Sequence, residues 1–180
     1  MLLPRDENNP ILYIEELPRF SWRRPLHVPG AVHVYLSRGD RLFWPEGGFT
    51  LGELWLVRPS RLYVVDVSTY DGQMSHDVTG ASGTVTVSLV VTFSWQVIDP
   101  RFVVKSHLVD VMAILPHHVG AAIDAVVEAL SWSDATELNL ALKSGGMPER
   151  VRAEGIEIST IRAAVVSLGD DASAIAGGDG

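Results

Sequence analysis

From Thr84 to Val97 the chain reads TVTVSLVVTFSWQV, with an apolar residue at every odd position from Val85 to Val97 and Thr, Thr, Ser, Val, Thr, Ser and Gln at the even ones. Side chains alternate across a β-strand with a period of two, so this pattern demands a long strand with one buried face. The rest of the chain must supply an apolar layer for that face. The Ser/Thr face is left to water or to hydrogen bonds with another chain. The pairing partner is expected at Gln73 to Val78, reached through the turn residues Thr79-Gly80-Ala81-Ser82-Gly83.

Upstream, Pro10, Pro18, Pro25, Pro29-Gly30, Gly39, Pro45, Gly47-Gly48, Gly52 and Pro59 punctuate the first 60 residues. That spacing suits short strands joined by tight turns. Strands are expected at Ala31 to Leu36, Leu54 to Val57 and Leu62 to Val67, with Ser37-Arg38-Gly39-Asp40 as a turn. Downstream the period changes. Asp99-Pro100 is a helix start, with an acid at the N-cap and a proline whose missing N–H costs nothing in the first turn.

From Val111 the apolar residues Ile114, Leu115, Ala122, Ile123, Val126, Val127 and Leu130 step by three and four, with one gap at Val119. This is the stripe of a helix that Pro116 either kinks or opens. Ser131 to Glu137 offers capping-box spacing for a further helix that ends near Lys143, before Gly145-Gly146. Met147 to Glu154 is expected as a short helix capped by Gly155, and Ile156 to Val166 as a closing strand.

The 180 residues, 47% apolar and 20% charged, fit one globular domain and exclude a disordered chain. The fold class is α+β: a twisted, mostly antiparallel sheet with helices packed on one face. Residues 1–30 are expected as an N-terminal extension, 31–166 as the domain and 167–180 as a flexible tail. The most apolar window, Val111 to Leu130, is broken by Pro116, His117, His118, Asp124 and Glu128, and is read as a core helix. With no basic, apolar leader at Met1 and no cysteine, a cytoplasmic location is expected, with the inner face of the membrane as an option.

Asp71-Gly72, the long Thr/Val strand ending in Val97-Ile98-Asp99-Pro100, the helices after it, and Glu154-Gly155-Ile156-Glu157-Ile158 follow one another in an order that resembles the SPFH or band 7 family of stomatins, prohibitins and flotillins. Gly39 and Trp44-Pro45-Glu46-Gly47-Gly48 resemble the family's Gly … Pro-Gly entry segment. The resemblance spans roughly residues 31 to 166 and implies the SPFH fold and a role in assembly. The family's membrane-inserting N-terminal segment and its long coiled coil have no counterpart, and the helical region between Asp134 and Gly155 is short. Membrane anchoring and large ring assembly are therefore not carried over.

For chemistry, the best metal-like cluster is His117-His118 with His107, Asp110 and Asp124. Adjacent histidines on a helix point about 100° apart, so no metal ligand is assigned. His76-Asp77 is read as turn polarity, since neither a GxSxG elbow nor a cysteine stands by for an imidazole to activate. Gly47-Gly48 and Gly145-Gly146 match no phosphate loop. No catalytic, cofactor or metal residue is assigned.

Charge is segregated. The chain carries −8 overall, arguing against nucleic acid, yet residues 19–61 hold seven arginines against three acids while residues 62–180 hold six bases against fifteen acids. The arginines are interleaved with Phe20, Trp22, Phe43, Trp44, Phe49 and Trp55. Arg19, Trp22, Arg23, Arg24, Arg38 and Arg41 are the candidate interaction surface; in the opposing reading, Trp44, Phe49 and Trp55 are core and the arginines a solvated face. The expected function is a non-catalytic scaffold or assembly domain, forming a homo-oligomer or docking a protein partner, with weak peripheral contact with anionic membrane as an option. A small-ligand-binding module and a soluble metal-dependent hydrolase using the His and Asp residues are the alternatives.

Overall fold

The computed structural model describes residues 6–18, 25–80, 83, 85–144 and 146–166. The alternating segment forms a twelve-residue strand, β6 (Thr86–Val97), in which Val87, Leu89, Val91, Phe93, Trp95 and Val97 are all buried. It pairs with β5 (Tyr70–Thr79) over ten consecutive positions, from Tyr70↔Trp95 to Thr79↔Thr86. On its other side lies β8 (Ile156–Val165), which in turn pairs with β7 (Arg150–Ala153). These four strands make one antiparallel sheet, sheet B, in the order β5-β6-β8-β7.

The earlier strands make a second antiparallel sheet, sheet A, in the order β1-β4-β2-β3. Its members are β1 (Ile11–Glu16), β2 (Ala31–Ser37), β3 (Leu42–Phe43) and β4 (Pro59–Asp66). The α+β class holds, with the strands divided between two sheets. Residues 1–30, expected as an extension, contribute β1, which pairs with β4. The tail at 167–180 lies outside the described residues.

Among the described residues four helices accompany the sheets: α1 (Leu51–Val57), α2 (Pro100–Ser106), α3 (Leu115–Ala129) and α4 (Ala135–Ser144). The carboxylate of Asp99 accepts the Arg101 and Phe102 amide hydrogens, the cap its sequence predicts for α2. A short 3-10 turn at Val111–Ala113 precedes α3, and Pro116 sits in the first turn of that helix rather than kinking it. By length and composition Val111–Ala129 suits a membrane span. In the fold its stripe of Val111, Leu115, Val119, Ile123 and Val127 faces the core, and buried Val119 closes the apparent gap in the periodicity. Asp134 caps α4 through the Thr136 and Glu137 amides.

A main core joins the two sheets and three of the helices. Val34, Tyr63 and Val65 from sheet A meet the odd positions of β6, Ile156 and Ile158 of β8, and the apolar faces of α2, α3 and α4. A smaller core of Tyr35, Leu54, Leu62 and Val64 lies on the opposite face of sheet A, under α1.

Two expectations fail. Leu54 to Val57 is helical, because Thr50-Leu51-Gly52-Glu53 is a capping box that starts a helix where propensity alone suggests a strand. Met147 to Glu154 is not a helix: Arg150–Ala153 is strand β7, and Glu154 and Gly155, with φ of 52° and 79°, form a two-residue hairpin turn. Gly155 is thus the turn residue of a hairpin. A Cβ there would come within 2.9 Å of the Asp99 carbonyl oxygen.

Candidate functional site

Thr50 accepts the Glu53 amide hydrogen at 3.3 Å, while the Glu53 carboxylate accepts the Thr50 amide and hydroxyl hydrogens at 2.8 and 2.7 Å. The backbone amide and then the hydroxyl of Thr50 hold the Glu53 carboxyl below the usual carboxylate range. The helix so started is only seven residues long and buries Leu54 alone. Its other face presents Leu51, Trp55 and Leu56, with 43, 59 and 76% of their surface exposed. Arg58 ends it in the left-handed conformation, φ 49°, and lays its guanidinium 5.3 Å from the Trp55 ring centroid. Exposed aromatic and branched side chains clustered on one short helix mark a contact surface more often than scattered ones do.

The register Ser37↔Pro59 brings the β2–β3 turn beside the junction of α1 and β4. Arg38 and Arg58 therefore stand one residue beyond the same strand pair. Arg38 and Arg41 are exposed in that turn together with Asp40, and the Arg41 guanidinium lies 5.7 Å from the Phe43 ring. Arg61 pairs with Glu16 at 3.7 Å. One end of sheet A thus carries an exposed tip, with Leu51, Trp55 and Leu56 on α1, Arg58 over Trp55, and Arg38 and Arg41 in the turn beside the α1–β4 junction. Of the residues predicted for an interaction surface, Arg38 and Arg41 belong to this tip. Arg19, Trp22, Arg23 and Arg24 lie outside the described residues. Trp55 does not join the core, whereas Trp44 packs against the main core and Phe49 against the smaller one. The capping box was the signal that would have turned Trp55 and Leu56 outward.

Comparison of the chain with models of known protein families and with curated proteins finds no match.

The histidines have local partners. His76 and Asp77 lie in the middle of β5 and not in a turn. The Nε2 of His76 is 2.7 Å from Oδ1 of Asp124 on α3, and its ring packs on Gly120, so the pair fastens α3 to sheet B. His118 stands 3.7 Å from Glu154, and the His117 and His118 ring centroids are 5.4 Å apart. Among the described residues no group of three or more His, Cys, Asp or Glu side chains is placed to hold a metal ion.

A cleft of about 560 Å³ opens between β2 and the Trp44–Thr50 loop, lined by Val32, His33, Tyr35, Trp44 and Phe49 among others. Burial lowers the His33 pKa, partly offset by the Leu26 backbone carbonyl at 3.2 Å from its Nε2. The Tyr35 hydroxyl is fully buried and makes no hydrogen bond of full geometry. Burial, opposed by the nearby Phe49 backbone amide, raises its pKa.

Proposed function

We propose that this chain is a non-catalytic assembly domain of the SPFH type, which docks protein partners, copies of itself included, through the exposed tip of α1 and the β2–β3 turn. The carrying observation is that tip: Trp55 and Leu56 in water, with Arg58 over the Trp55 ring and with Arg38 and Arg41 in the β2–β3 turn that the Ser37↔Pro59 register brings beside the end of α1. Arginine and tryptophan are the residues that dominate protein contacts. The charge segregation supports a second copy as partner, because a basic tip meets an acidic remainder of six bases against fifteen acids at residues 62–180. The order of strands, Asp99-Pro100 helix start and closing hairpin supports the SPFH reading.

Sedimentation velocity across a concentration series tests the proposal. The chain should form assemblies that shrink as salt is raised, and the variant Trp55→Asp with Leu56→Asp and Arg58→Glu should form smaller ones. A wild-type chain that stays monomeric at every concentration defeats it.

A second reading, contact with an anionic membrane, draws on the same arginine and tryptophan side chains. Each basic residue near such a surface is worth about 1 kcal/mol, so Arg38, Arg41 and Arg58 give only weak, salt-sensitive attachment. Flotation with phosphatidylserine vesicles, lost in the same variant while self-association persists, would favour this reading.

A further inference from the structure

Sheet B ends on one side in β5, and this edge differs from the other three. β3 and β7 are two and four residues long, and β1 has six residues with a shift of register between Ile11 and Tyr13. Short or bulged strands are the usual protection of a sheet edge, as are lysine and proline. β5 has ten residues, YDGQMSHDVT, with neither lysine nor proline, and an unbroken register to β6. Among the described residues no strand pairs with the outer side of Asp71–Thr79 and no backbone hydrogen bond reaches that stretch from outside the sheet.

Its two faces are already settled. Met74, His76 and Val78 point toward the helices, where His76 meets Asp124 and Gly120 of α3. Asp71, Gln73, Ser75, Asp77 and Thr79 point outward, where Asp71 accepts a hydrogen bond from the Ser94 hydroxyl and Asp77 one from Ser88. A strand with one wet face and an open edge can accept another such strand and continue the sheet.

We infer that β5 is a two-fold interface, pairing antiparallel with β5 of a second copy to make an eight-stranded sheet centred on Ser75. The inference rests on the assembly reading above and names a contact distinct from the tip. Parity selects the register. Facing residues must lie on the same side of the sheet, so a two-fold axis can pass only through a residue, and only two positions keep nine residues paired. An axis at Met74 sets Asp71 directly against Asp77 twice, and like charges directly opposite destabilise a ladder. An axis at Ser75 sets Asp71 against Thr79, Gln73 against Asp77 and Ser75 against Ser75. On the inner face it sets Met74 against His76 and Gly72 against Val78. Every outward carboxylate then faces a hydrogen-bond donor.

The chain has no cysteine, so a single introduced one reads the register without interference. In the Ser75→Cys variant the two thiols face each other at a Cα separation of about 4.5–5.5 Å, within the span of a disulfide. In Met74→Cys the equivalent residues are about 8 Å apart, too far to bridge. Under mild oxidation, Ser75→Cys should cross-link to a covalent dimer and Met74→Cys should not.

Gln73→Asp, which places Asp against Asp77 twice, should weaken the dimer about tenfold. Adding Asp77→Lys should restore it. The tip variant Trp55→Asp with Leu56→Asp and Arg58→Glu should still cross-link through Ser75→Cys. Assemblies that form in the wild type, with no Ser75→Cys cross-link, overturn the β5 interface and leave the assembly reading standing; Met74→Cys cross-linking faster than Ser75→Cys overturns the register. A wild-type chain that is monomeric throughout sinks both.

Discussion

Sheet A and sheet B use their faces differently. In β4, at the centre of sheet A, Leu62, Tyr63, Val64 and Val65 are buried in succession: Tyr63 and Val65 enter the main core, and Leu62 and Val64 the small core under α1. In β6, at the centre of sheet B, only every second residue is buried, and Ser88 and Ser94 on the other face hydrogen-bond to Asp77 and Asp71. Sheet A is a middle layer. Sheet B is an outer wall with one wet side. The lesson is that the two sheets expose surfaces of different kinds, an apolar and basic tip built over a middle layer and a polar strand edge on a wall.

Substitutions can break that contrast. The largest effect is expected from charges in the two central strands. Leu89→Asp or Phe93→Asp places a carboxylate in the main core and should unfold the domain, while Thr86→Lys on the wet face should shift the melting temperature little. In sheet A both neighbours should fail: Leu62→Asp and Tyr63→Asp are each expected to abolish folding, as circular dichroism would show. If one of that pair is tolerated, sheet A has a wet face too.

Next in size is the small core. Leu54→Ala should cost about 2–4 kcal/mol in chemical denaturation, since Leu54 is the only residue of α1 that is buried. Trp55→Ala on the opposite face should cost little, because it leaves water rather than a core. A smaller effect of opposite sign is expected at Tyr35: Tyr35→Phe removes a buried hydroxyl that has no well-formed hydrogen bond, and should stabilise by about 1 kcal/mol.

The smallest effects are electrostatic. Glu53 titrates below its ordinary range because its charged form caps α1, so its contribution is present at neutral pH and is lost as the pH falls through its folded pKa. His33 is also depressed, by burial, and its neutral form fits the fold. Its contribution is present above its unfolded pKa of about 6.5 and is lost as the pH falls. Thermal melts from pH 7 down to about pH 3 should therefore decline in two parts, with the lower one, below about pH 4.5, reduced in Thr50→Ala with Glu53→Gln.

Legibility in the sequence followed the same division. The period-two pattern of β6 placed every buried residue of that strand, and Asp99-Pro100 marked the start of α2, because both signals are local. In β8 the left-handed Thr160, φ 54°, shifts the strand by one residue, so Ile156 and Ile158 before it and Ile161 after it all face inward. No period reveals that. The tip was half visible: Arg38 and Arg41 were picked out by charge, but Trp55, Leu56 and Arg58 join them only through the Ser37↔Pro59 register, a contact between residues 22 apart in the chain. The strand expected at Leu54 to Val57 failed because a two-turn helix is too short to show a period, leaving its cap as the sole sign. β7 was missed for a similar reason, since four residues beside a Glu-Gly turn fit a helix end as well as a hairpin.

The central claim is that an exposed apolar and basic tip exists to be covered by another protein surface. Sedimentation velocity of the wild type beside Trp55→Asp with Leu56→Asp and Arg58→Glu, at matched concentration and two salt concentrations, tests it most directly. The account predicts larger assemblies for the wild type at low salt, reduced at high salt, and smaller species for the variant under both conditions. Identical distributions for the two proteins, at both salt concentrations, would contradict it.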